Sequence, residues 1–99
     1  MSRRVLLHAP TAAALDRARA NLRNLRRADP AAEVRILANA EGASAAVSRP
    51  DADTDRHLVL CQNSLASRGL AAPAGTATVP AVVLALAELQ EQGWIYVRA

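Results

Sequence analysis

The chain has 99 residues, 52% of them apolar, yet only two aromatic side chains and no Phe. That length supports one core, so a single domain spanning residues 1–99 is expected, its interior filled by Leu, Val and Ala. The net charge is +3 and every basic residue is Arg. These Arg run from Arg3 to Arg98 with only Trp94 and Tyr96 able to stack, a pattern that argues against nucleic-acid binding. One Cys and two His exclude an internal disulfide and leave too few ligands for a zinc site. No cofactor is implied. No stretch reads as a signal peptide or a membrane span, so a cytoplasmic protein with a free thiol is expected.

Residues 3–9 read as a first strand. Val5-Leu6-Leu7 is a continuous apolar run, as in strands buried on both faces. Pro10 breaks it, and Thr11 can cap a helix over 12–28. Leu15, Ala18, Leu22 and Leu25 lie on one face of that helix, and Arg19, Arg23 and Arg27 form a stripe expected to face solvent. Asp29-Pro30 stops it.

Residues 33–38 read as a second strand, Asn39-Ala40-Glu41-Gly42 as a turn, and 43–47 as a short Ala-rich helix. Residues 48–56 are polar and hold Pro50, so a mobile loop is expected. The three Asp in this loop lack the Gly and closing Glu of a calcium loop.

His57-Leu58-Val59-Leu60-Cys61 reads as a third buried strand. Gln62-Asn63-Ser64 forms the turn out of it, with Asn63 or Ser64 able to cap a short helix ending before Gly69. A weak strand is expected at 76–79. Pro80 suits the first turn of a helix over 80–92 that buries Val82, Val83, Leu86 and Leu89. Gly93 ends it, and 94–97 is the last strand. Alternating strands and helices predict an α/β fold: three layers, α/β/α, around a mostly parallel sheet of about five strands.

Ligands bind outside the carboxyl ends of the strands in such sheets. The polar residues ending the first three strands are His8, Asn39 and Cys61. A thiol between a strand and a helix start ionises readily, because helix N-termini favour anions. The supporting groups are His8, Asn39, Gln62, Asn63 and Ser64, with Cys61 as the nucleophile. His57 opens its strand and belongs at the opposite edge. A buried Cys acting as a small hydrophobe is the competing reading.

Several segments resemble the DsrE/DsrF-like family, particularly its small single-domain, YchN-like members. They are Val5-Leu6-Leu7-His8, Val34-Arg35-Ile36-Leu37-Ala38-Asn39, Cys61-Gln62-Asn63-Ser64-Leu65 with Arg68-Gly69, and the closing Val82–Val97 stretch containing Leu89-Gln90-Glu91-Gln92-Gly93-Trp94. The resemblance implies a compact α/β/α domain assembling as a trimer or hexamer. It also implies a sulfur-relay role in which Cys61 carries a persulfide between donor and acceptor proteins, as a sulfurtransferase-like carrier. The other function classes are a non-catalytic oligomeric module that binds a small anion or a protein, and a thiol redox sensor.

Overall fold

The structure, a computed structural model, describes residues 2–99. Five strands form one sheet: β1 (Arg4–Ala9), β2 (Glu33–Ala38), β3 (Leu58–Cys61), β4 (Ala77–Val79) and β5 (Ile95–Arg98). Their order is β4-β3-β2-β1-β5, and every pairing is parallel. Four α-helices connect them: α1 (Ala12–Ala28), α2 (Ala40–Ser48), α3 (Gln62–Ser67) and α4 (Val82–Glu91).

The strand order dictates the layers. From β1 to β4 each crossover steps the same way across the sheet, so right-handed connections place α1, α2 and α3 on one face. The return from β4 to β5 runs back past β1, which puts α4 on the other face. The core divides accordingly. On one face Val5, Leu7, Ile36 and Leu60 pack under Leu15, Leu22, Ala46 and Leu65. On the other Leu6, Leu37 and Cys61 pack with Val82, Leu86 and Trp94. Three helices thus cover one face and a single helix the other.

Local chemistry sets the helix ends. Thr11 caps α1, its hydroxyl accepting from the Ala14 N–H at 3.0 Å. At the end of α4, Gly93 adopts φ +95°. This lets the Trp94 N–H reach back to the Leu89 carbonyl at 3.0 Å, closing the helix in the usual glycine manner. Trp94 then folds beneath α4, with the Arg4 and Arg35 guanidinium groups over its ring.

Five expectations are corrected. The helix expected at 43–47 begins at Ala40, so no separate turn spans 39–42. It begins there because Gly42 sits against the end of β1, where a Cβ would lie 1.9 Å from the Ala9 carbonyl oxygen. The loop before β3 is pinned: Arg23 holds Asp51 at 2.5 Å and Asp53 at 3.2 Å, and Arg19 holds Asp55 at 2.9 Å. The Arg stripe of α1 is therefore not a free solvent face, since Arg19 is only 7% exposed. Finally, α4 starts at Val82, because Pro80 stays outside the helix with its carbonyl accepting from the Asn63 N–H. The helix rotates so that Val83 and Leu84 are exposed while Val82 and Leu86 are buried.

Candidate functional site at the carboxyl edge of the sheet

Side chains alternate along a strand, so His8, Asn39 and Cys61 share the face of Leu6, Leu37 and Val59, the one beneath α4. All three stand at the carboxyl ends of their strands. The expected edge is therefore assembled, but in two parts.

The first part is a hydrogen-bonded trio. His8 Nε2 lies 3.0 Å from Asn39 Oδ1, and His8 Nδ1 lies 2.6 Å from the Tyr96 hydroxyl. An amide oxygen only accepts, so in this arrangement Nε2 carries the proton and the tyrosine O–H donates to Nδ1. Tyr96 was not anticipated. Its signal was positional: once β5 pairs with β1, Tyr96 is level with Leu6 and reaches His8 along the same face. Asn39 precedes α2 but makes no capping bond with its side chain, because that amide is committed to the imidazole.

The second part surrounds the thiol. Cys61 is the N-cap residue of α3, in extended backbone conformation, and the helix starts at Gln62. This corrects the expected capping role of Asn63 or Ser64, which lie inside the first turn. They occupy the second and third helical positions, whose amides an N-cap side chain normally takes. Burial pushes the Cys61 thiol up. The Ser64 hydroxyl, the Val82 amide and the Ser64 and Asn63 amides oppose it, and the balance lies below the ordinary thiol value. The Ser64 hydroxyl oxygen accepts from the Ala40 N–H at 2.8 Å, which leaves its proton for the sulfur. Ala40 holds φ +49°, a left-handed conformation uncommon for a residue with a Cβ.

Gln62 turns away from the sulfur, and its side-chain amide donates to the Thr78 hydroxyl at 2.9 Å. Cys61 itself is 5% exposed, with Sγ 4.0 Å from the Pro80 carbonyl oxygen. His8 and Cys61 are not direct partners. Strand β2 lies between β1 and β3, which separates their backbones by roughly 10 Å at the usual inter-strand spacing. What joins the two parts is the Asn39–Ala40 step: Asn39 meets the imidazole, and the next amide meets Ser64. His57 lies at the amino end of β3, its Nδ1 3.1 Å from the Val34 carbonyl oxygen, as expected for a residue outside this edge.

The arrangement suits nucleophilic or anion-stabilising chemistry at sulfur. Among the described residues, no group of three or more His, Cys, Asp or Glu side chains is placed to hold a metal ion. No helix among them is long and apolar enough to cross a membrane.

No protein-family model matches the chain, and no curated protein does. Among solved structures the chain is similar to MTH1491 of Methanobacterium thermoautotrophicum, a protein of unknown function. The TM-score is 0.82 at 20% identity, covering 99% of this chain and 100% of that one. The likeness is one of fold.

Proposed function

We propose that the protein is a sulfur-relay carrier in which Cys61 accepts sulfane sulfur and passes it on. One observation carries this reading. The sulfur stands at the start of α3, where the Ser64 hydroxyl and the amides of Asn63, Ser64 and Val82 favour its anion against the effect of burial.

In the proposed step the Cys61 thiolate attacks the outer sulfur of a donor persulfide. A new S–S bond forms on Sγ, the donor's S–S bond breaks, and the donor leaves as a thiolate. An acceptor thiolate then attacks the outer sulfur of the Cys61 persulfide, taking it and regenerating the Cys61 thiolate. No electrons are gained or lost over the cycle. Because the thiol is nearly buried, a donor reaches it only as the segments around the start of α3 open. The His8–Asn39–Tyr96 trio stands on the same edge, hydrogen-bonded within itself, and takes no part in the transfer of the thiol proton.

The reading extends to assembly. Val83 and Leu84 on α4 and Ile95, Tyr96 and Val97 on β5 are exposed apolar residues, 71%, 58%, 49%, 38% and 39% respectively. A homo-oligomer, a trimer or hexamer, would cover them.

The test follows the rate of Cys61 alkylation against pH and then exposes the protein to a sulfane-sulfur donor under mass spectrometry. Alkylation is expected to titrate below an ordinary thiol, with Ser64→Ala moving the curve to higher pH, and one sulfur is expected to add at Cys61. An ordinary thiol titration with no added sulfur overturns the proposal. A Cys61→Ser variant that keeps full activity in the cell points to a binding module.

A further inference from the structure

A second site lies on the same face, toward the amino ends of the strands. With only α4 laid across five strands, the part of the sheet over β3 and β4 is left open beside that helix. A cleft of about 460 Å³ opens there, within the size range of small-molecule sites. Its walls are apolar, with Val59, Val79 and Leu89 among them, and Arg35 and Arg56 stand in its lining. No Asp or Glu lines it.

Neither guanidinium is neutralised. Among the described residues the ion pairs use Arg3, Arg19, Arg23, Arg49 and Arg68, not Arg35 or Arg56. Both are instead held in position. Arg35 lies over the Trp94 ring, 4.5 Å from its centroid. Arg56 is fixed by His57, and the protons there can be assigned. The Val34 carbonyl only accepts, so His57 Nδ1, 3.1 Å away, carries the ring proton. His57 Nε2 is then the acceptor for Arg56 Nε at 3.3 Å. The imidazole thus takes one donor of the Arg56 fork and leaves the terminal N–H groups free. Two anchored, uncompensated guanidiniums beside an apolar floor define a ligand with one anionic end and one apolar end.

We propose that this cleft binds a small amphiphilic carboxylate. Its carboxylate meets Arg35 and Arg56, and its hydrocarbon part lies on Val59, Val79 and Leu89. This site is independent of the chemistry at Cys61, which does not line the cleft.

The test titrates the full chain with octanoate by calorimetry, with octylamine and 1-octanol as probes of the same length. Octanoate is expected to bind saturably at one site per chain. The amine and the alcohol are expected to bind at least about tenfold more weakly, which corresponds to about 1.4 kcal/mol. Arg56→Ala and Arg35→Ala are each expected to weaken octanoate by about tenfold, while Arg98→Ala and Cys61→Ser leave it unchanged. Equal binding of octylamine or octanol, or no saturable octanoate binding, overturns the proposal. So does cross-linking that places a second copy of the chain in the cleft. The probe comparison on the unmodified protein keeps the result decisive even where a variant folds poorly.

Discussion

Replacing Asp55 by Ala tests the packing that the Arg stripe conceals. The Arg19 side chain is 8% exposed and Asp55 27%, joined at 2.9 Å. The Arg19 Nε atom is buried with no partner even in the intact protein. Removing the carboxylate leaves the Arg19 charge without its ion-pair partner in a largely buried site, a change that costs about 3–5 kcal/mol when burial is complete. Asp55 is partly exposed, so some water enters the vacated space, and about 3 kcal/mol is the expected loss. Asp55 also accepts the Asp51 N–H at 2.9 Å, and that bond goes with it. For a domain of this size, 3 kcal/mol lowers the thermal midpoint by about 12–24 °C. Arg19→Met is expected to cost only about 1 kcal/mol, because the charge left behind can hydrate. The double variant is expected to be more stable than Asp55→Ala alone. Urea unfolding of the four proteins measures this. A loss below about 1 kcal/mol for Asp55→Ala, or no recovery in the double variant, refutes the argument.

Two further outcomes follow from backbone and surface. Gly42→Ala forces a Cβ to within 1.9 Å of the Ala9 carbonyl oxygen, and since backbone meets backbone, α2 must shift. A loss of about 3 kcal/mol or more is expected by denaturant titration, and an unchanged midpoint would contradict the close approach. Light scattering is expected to find an oligomer that Leu84→Glu disperses, while a monomer at every concentration removes the proposed role of the exposed α4 and β5 residues.

The sequence shows most of the fold because its strands are short and unbroken and its helices periodic. The unbroken runs Val5-Leu6-Leu7 and Leu58-Val59-Leu60 read directly as strands, although Val59 is only partly covered, and Ala12–Ala28 has a clear apolar stripe. Contacts between distant segments are less legible. Nothing near Arg19 announces that Asp55 will meet it 36 residues later. Nothing in Asn39-Ala40 signals a left-handed alanine. Val83 fits the expected face of α4 as well as Leu86 does, yet it is Val82 and Leu86 that dock on the sheet while Val83 is exposed. In the candidate site, His8 and Asn39 were legible as strand-ending polar residues. Tyr96 was not, because its place depends on β5 returning to the far side of β1.

That return also explains why the edge has two centres. The chain steps outward from β1 to β4 and then reverses, so the topological switch lies between β1 and β5. Open α/β sheets bind ligands at such a point, and His8 and Tyr96 stand there, 5.6 Å between ring centroids. Cys61 lies two strands away, on β3. No imidazole is at hand to take its proton, so anion stabilisation at the sulfur rests on dipoles: the first amides of α3, the Val82 amide and the Ser64 hydroxyl. Such groups favour the thiolate without competing as bases, and they are fixed by the helix starts that also bury the sulfur. Burial and stabilisation therefore have the same structural origin. In the closed chain Cys61 is 5% exposed, so a partner that reached the sulfur would meet a thiol already biased toward its thiolate.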